Sequence, residues 1–260
     1  MGNGLWQWLD GERNVRLDLQ RWTVDEALQL TDEGLPDLAP VGTVQDVPGT
    51  GLRLYVGGEG LRAGTYTVTV AAHGRTPALA LRLQHEVVRA ATLTRFVRRG
   101  GAELPIARFS RISRKWRGNW QVGSAVDVAF EASSPYWLLP VVTVPLVAGA
   151  NTVKVEGDGP VSPRLSLTAS QTVTNPQITT DAGVTRWLGT LNAGQTLVID
   201  ATPGVWSVTV GGLDVRLGLQ GPQPLLQAGT RAVTLGANLS GVLTYRPGVL
   251  DPSGVSPEPT

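Results

Sequence analysis

From Thr143 to Arg246 the sequence breaks into short runs of alternating apolar and polar residues, each bounded by Gly, Pro, Asn or Asp. The runs fall at residues 143–147, 152–156, 164–169, 171–174, 184–188, 196–200, 205–210, 231–235 and 242–246. A period of two sends successive side chains to opposite faces, so each run predicts a half-buried β-strand. Even spacing of short strands between turn residues marks a β-sandwich or jelly roll. No amphipathic helix interrupts the series. The 32 glycines and 18 prolines among 260 residues supply the turns that such a fold needs.

The first half has a different texture. Thr76-Pro77 offers a hydroxyl cap and then proline at the first helical position. Leu79, Leu83, Val87 and Ala90/Ala91 recur at three- and four-residue spacing, which predicts one substantial helix ending before Gly100-Gly101. Arg82, Glu86 and Arg89 stand on its polar side at ion-pair spacing. Thr23-Val24-Asp25-Glu26 has the form of a capping box and predicts a short turn of helix through about Leu30. Strands are expected at 52–56, 65–71, 107–113 and 121–130. The expectation is a mainly β chain in two domains: residues 1–140, an α+β unit of a small β-sandwich with one main helix, and residues 141–250, a β-sandwich. Residues 251–260, rich in Pro and Ser, are expected to be disordered.

Net charge is +1, yet it is unevenly spread. The first fifty residues hold nine acids (Asp10, Glu12, Asp18, Asp25, Glu26, Asp32, Glu33, Asp37, Asp46) against three arginines, whereas Arg75 to Arg117 holds eleven of the 22 basic residues. Two solvated surfaces account for this, and so does an acidic face meeting a basic one across a subunit boundary. No nucleic-acid-binding module accompanies the basic cluster. Trp116 and Trp120 flank Arg117-Gly118-Asn119, read as a loop tip that makes either a subunit contact or local packing.

Catalytic chemistry finds little footing. His73 and His85, the only histidines, are not at metal-ligand spacing, and without cysteine there is neither a disulfide framework nor a thiolate metal site. Gly-x-Ser-x-Gly and the phosphate-binding loop are missing. Asp181, Asp200 and Asp214 sit near strand ends and read as turn residues. Trp187 and Trp206 lie on predicted strands, where they serve either the core or a sugar-stacking platform. No catalytic, cofactor or metal residue is assigned. No stretch approaches the roughly eighteen apolar residues of a membrane helix, and the N-terminus lacks the pattern of a secretory signal, which is the expectation for a protein made in the cytoplasm.

Several segments, taken in order, resemble the distal tail protein family of long, non-contractile phage tails. Val126-Asp127-Val128-Ala129-Phe130 alternates as a strand, and Ser133-Ser134-Pro135-Tyr136-Trp137 closes it with a Pro-Tyr-Trp corner. Glu156-Gly157 through Pro163-Arg164-Leu165 is similar to the family's Asn-x-Gly…Pro-x-Ile segment, with Glu156 where Asn is usual. Asn175-Pro176-Gln177-Ile178 precedes the run from Leu188 through Gly194 to Asp200, and Thr244-Tyr245-Arg246 is similar to the closing strand. The resemblance covers roughly Ala107 to Leu250, with Phe130, Pro135, Tyr136, Trp137, Asn175, Pro176, Ile178, Gly194 and Asp200 as its signature.

The resemblance implies a non-enzymatic structural protein of the virion tail tip. Its first domain would build a hexameric ring, and its second, a galectin-like sandwich, would project outward. The ring would join the tail tube protein to the baseplate hub around the DNA channel, threaded by the tape-measure protein. Arg98, Arg99, Arg111, Arg114, Trp116 and Trp120 are the candidate subunit interface. Receptor-binding proteins or host glycans would be further partners of the outer domain, and carbohydrate-binding adhesion, suggested by the second domain's sandwich pattern and its tryptophans, is the alternative function.

Overall fold

The structure is a computed structural model that describes residues 6–36, 38–40, 43–46, 53–56, 61–115, 123–202 and 205–254. The protein is mainly β and divides into two compact units, Met1–Trp137 with Asp251–Thr260, and Leu138–Leu250.

In the first unit, strand Thr65–Gly74 shows the physics at its simplest. Tyr66, Val68, Val70 and Ala72 are buried while Thr65, Thr67 and His73 are exposed. Its neighbour Gly123–Ala132 pairs Phe130 with Tyr66, Val128 with Val68 and Val126 with Val70, so the apolar rows of both strands share a face. The sheet runs Val15–Asp18, Trp6–Leu9, Phe96–Arg99, Ala102–Lys115, Gly123–Ala132, Thr65–Gly74, Glu26–Gly34, Gln20–Trp22. Its first and last strands are consecutive in the chain, separated only by Leu19. The Leu19 N–H donates to the Trp6 carbonyl (2.9 Å), and the Leu19 carbonyl accepts from the Leu30 N–H (3.1 Å), so the two ends of the sheet meet.

Helix Pro77–Leu93 packs its buried stripe, Ala80, Leu83, Val87, Ala90 and Ala91, against strands from both halves of this sheet. Thr76 caps it by accepting from the Leu79 N–H (3.3 Å), and Pro77 opens it without an N–H to leave unpaired. The approach is close at Gly74, where a Cβ would sit 2.4 Å from the Ala80 nitrogen. Beneath lies an aromatic cluster: Trp8 meets Phe130 edge-on at 5.2 Å, and Tyr66 meets Trp137 edge-on at 5.8 Å.

The helical turn expected from the capping box at Thr23 is instead the start of strand Glu26–Gly34. Thr23 Oγ1 does accept from the Glu26 N–H (3.1 Å), the bond a helix cap would make. The Thr23 N–H, however, donates back to the Glu26 carbonyl (2.8 Å), which closes a hairpin. Ala27 and Leu28 then pair into the sheet, and tertiary burial overrides the local signal. The charges on the helix also partner differently. Arg82 pairs with Glu26, and Glu86 takes a bidentate contact from Arg21 (2.8 and 2.9 Å), both on the adjoining hairpin.

The second unit is a β-sandwich. One sheet runs Val142–Leu146, Leu239–Tyr245, Arg164–Ala169, Thr196–Asp200, Ser207–Val210, Leu213–Asp214; the other runs Gly149–Val155, Gly229–Leu235, Gln177–Thr180, Gly183–Trp187, Leu219–Gln220. Leu165, Leu167, Leu197, Ile199, Val208 and Leu243 from the first sheet share one core with Val153, Val155, Ile178, Trp187, Val233 and Leu235 from the second. At the start of the segment 251–260, Asp251 accepts from the Ser253 N–H (2.8 Å) and Pro252–Gly254 forms a 3-10 turn. Residues 255–260 lie outside the described residues.

Candidate functional site

The signature residues are scaffold. Phe130 and Trp137 are fully buried, and the corner between them is pinned by Ser133 N–H to the Pro105 carbonyl (2.9 Å) and Tyr136 N–H to Ser134 Oγ (3.1 Å). Pro135 and Tyr136 are half-buried. Asn175 adopts φ 53°, a left-handed turn open to asparagine, and its N–H donates to the Gly189 carbonyl (2.8 Å). The buried Pro176 offers its carbonyl to the Trp187 N–H (3.0 Å), and Ile178 points into the core. Gly194 sits at φ 81° in open space, so backbone conformation alone asks for glycine there. Asp200 is buried and accepts from the Thr202 N–H (3.0 Å), the turn role expected of it. These residues are distributed through both cores and do not converge on one surface.

The candidate interface residues separate into three groups. Arg98 reaches Glu103 (2.8 Å) and Gln7 (3.3 Å), while Arg99 reaches Glu33 (3.4 Å) and covers the Trp6 ring at 4.8 Å. Both are therefore engaged inside their own unit. The same is true of much of the charge asymmetry. Arg16 meets Asp10 (2.6 Å) within the N-terminal segment, Arg75 meets Asp25 (3.3 Å) where Glu26 pairs with Gly74, and Arg13 meets Glu103 (3.0 Å) because the sheet brings the N-terminal segment beside residues 96–103. Arg111 and Arg114 are exposed and, among the described residues, form no ion pair. They stand opposite Ala129 and Val126, two faces of one strand, so they do not act as a single patch. Trp116 and Trp120 lie outside the described residues.

A polar cluster, undetected in the sequence, joins three strands of the first unit around the buried Tyr66, with Glu33 and Arg99 half-buried. Tyr66 donates its hydroxyl to Glu33 Oε1 (3.0 Å), and Arg99 faces the other carboxylate oxygen. Burial raises the Glu33 carboxyl above the usual carboxylate range, opposed by Arg99 and by the Tyr66 hydrogen bond, and assisted by the charge of Asp251. Burial, with the Glu33 charge next to it, pushes the Tyr66 hydroxyl well up.

Neither catalytic nor sugar-stacking geometry gathers elsewhere among the described residues. His73 and His85 are exposed and lie on separate elements. Asp181 accepts from the Gln227 N–H (2.8 Å), and Asp214 pairs with Arg216 (2.7 Å). Among the described residues no group of three or more His, Cys, Asp or Glu is placed to hold a metal ion. No helix among them is long and apolar enough to cross a membrane. Trp187 is a core residue clamped by glycines: a Cβ on Gly189 would lie 2.4 Å from its ring, and one on Gly218 2.9 Å from its Nε1. Trp206 packs against the same core.

No family model and no curated protein matches the sequence. Solved structures do match the fold. The crystal structure of the Dit protein (gp 19.1) of phage SPP1, described as a paradigm of the hub adsorption apparatus in phages infecting Gram-positive bacteria, superposes with a TM-score of 0.65 at 12% identity, covering 94% of this chain and 98% of that one. The chain has the distal tail protein fold. Chains from the phage p2 baseplate in its activated conformation also match, with TM-scores of 0.50 (strontium form, 10% identity, 94% and 98% covered) and 0.51 (calcium form, 9% identity, 94% and 97% covered). In this distal tail fold the Pro-Tyr-Trp corner and the Asn-Pro-Gln-Ile segment are packing features. What remains open to a partner is the surface.

One surface feature has no signal in the sequence. Trp22 is 64% exposed and Val24 96% exposed, side by side in the hairpin turn that replaces the expected helix. A capping box at Thr23 would place Val24 in a helix, and so it conceals the pair.

Proposed function

We propose that this protein is a structural component of a phage tail tip, a ring of identical subunits that joins the tail tube to the baseplate hub around the DNA channel. The observation that carries this reading is the likeness to SPP1 Dit along nearly the whole of both chains, so the two-unit architecture is matched and not merely one common sandwich. Function then rests on buried area, with each subunit repeating one heterologous contact until rotation closes the ring. Its proposed partners are a tail tube protein, a baseplate hub protein and a tape-measure protein, with receptor-binding proteins or host glycans on the outer unit. Its proposed place is the virion tail tip, after synthesis in the bacterial cytoplasm.

Negative-stain imaging of the purified full chain, alone and with its tail tube protein, tests the proposal. A closed annulus with a central channel, six-fold by the family resemblance, is the expected result. A strictly monomeric particle under both conditions would overturn it.

A further inference from the structure

In the first unit, arginines cover two aromatic rings. Arg99 lies 4.8 Å over Trp6, and Arg13 lies 4.7 Å over Phe96. Trp22 is instead 64% open to solvent, two residues from a Val24 that is 96% open. The turn is not frayed. Thr23 closes it through its N–H and hydroxyl, the Arg75 N–H donates to the Asp25 carbonyl (2.8 Å), and Arg21 ties it to Glu26 (3.3 Å) and Glu86 (2.8 Å). The backbone of the turn is already fixed, so burying the indole and the neighbouring aliphatic side chain against a partner costs side-chain freedom alone. Tryptophan is also among the residues most enriched at the energetic centre of protein interfaces.

The complementary feature lies across the same sheet. Arg111 is exposed and, among the described residues, has no ion pair. Strand register places Trp22 beside Ala27 and His73, and Arg111 beside Ala129 and Thr67, so both point outward from one side of the sheet. The order Gln20–Trp22, Glu26–Gly34, Thr65–Gly74, Gly123–Ala132, Ala102–Lys115 puts four strand spacings between them, and the register from His73 to Thr67 adds six residues lengthwise, about 20 Å in each direction. They cannot meet within one chain. Two unlike, unfilled features on opposite flanks of one surface suit a head-to-tail contact, in which the flank of one copy meets the other flank of the next.

We propose that Trp22 and Val24 dock onto a second copy of this chain, on the flank that carries Arg111, with the guanidinium covering the indole face. The proposal deepens the ring reading and rests on it. It is tested with the full chain by native mass spectrometry and sedimentation velocity on wild type, Trp22→Ala and Arg111→Glu, with circular dichroism as the folding control. Because both side chains are exposed, both variants keep the wild-type melting temperature. Trp22→Ala is expected to weaken self-association roughly thirtyfold. In a head-to-tail contact, mixing the two variants restores a dimer without restoring larger rings, since the intact Trp22 of one variant meets the intact Arg111 of the other. Wild-type rings with both variants assembling unchanged would overturn this proposal and leave the ring reading standing. Two weakened variants that recover no dimer on mixing would overturn the pairing of Trp22 with Arg111. A wild-type chain that never self-associates would remove the ring reading together with the contact.

Discussion

The half-buried Glu33 couples the stability of this protein to pH. Its carboxyl is raised by burial, so the folded state holds a proton more readily than the unfolded chain. The stability it contributes is present below the ordinary glutamate range and is lost as pH rises through the raised value. Urea denaturation midpoints across that window should fall more steeply with pH for wild type than for Glu33→Gln. Equal slopes would show that the Arg99 and Tyr66 contacts cancel the effect of burial, and a wild-type midpoint that rises with pH relative to the variant would show that they outweigh it. Gly74 sets a second residue-scale expectation. A Cβ there meets the Ala80 nitrogen at 2.4 Å and the Leu79 backbone at 2.8 Å, neither of which can rotate away. Gly74→Ala should destabilise the fold by roughly 1–3 kcal/mol, as overpacking does, measured from the denaturation midpoint at constant slope. Neither effect is legible in the linear sequence, because Glu33 and Tyr66, like Gly74 and Ala80, acquire their significance only when a sheet or a helix brings them together.

At the scale of elements, Thr23 and Thr76 present nearly the same cue, a threonine with its hydroxyl aimed at an N–H three residues on. Both hydroxyls make that bond, yet one opens a helix and the other a hairpin. The difference lies in the residues downstream of each threonine. After Thr76 a stripe at three- and four-residue spacing finds a sheet to bury it, whereas Ala27 and Leu28 are adjacent apolar residues that a strand pairs with Trp22 and Arg21. Thr76→Ala is therefore expected to cost about 1 kcal/mol of stability as a lost helix cap, read as a lower melting temperature with unchanged spectra. The alternating runs at 164–169 and 196–200 became strands at those bounds, since a period of two reports directly on a half-buried strand. Trp6–Leu9 gave no such signal, because Trp6, Trp8 and Leu9 are all buried and no exposed face imposes an alternation.

For the whole molecule, Leu138–Leu250 carries a complete core drawn from both of its sheets. A fragment with those bounds is expected to fold alone and to melt cooperatively by circular dichroism, and a broad, non-cooperative transition would show that it borrows stability from the rest of the chain. Residue pattern was enough to set the strand-rich class, the single long helix and the change of texture near Pro140, because period, capping chemistry and turn residues are local properties. Which charges find partners was settled in three dimensions. Arg98 and Arg99 stand among the basic residues of the middle of the chain, yet pairing of their strand with Trp6–Leu9 sets them beside Gln7 and Trp6, and Arg99 also reaches Glu33. The same holds for Trp187, which is enclosed, and Trp22, which is open. Burial is a property of long-range neighbours, and in a chain folded by strand pairing those neighbours lie far away in sequence.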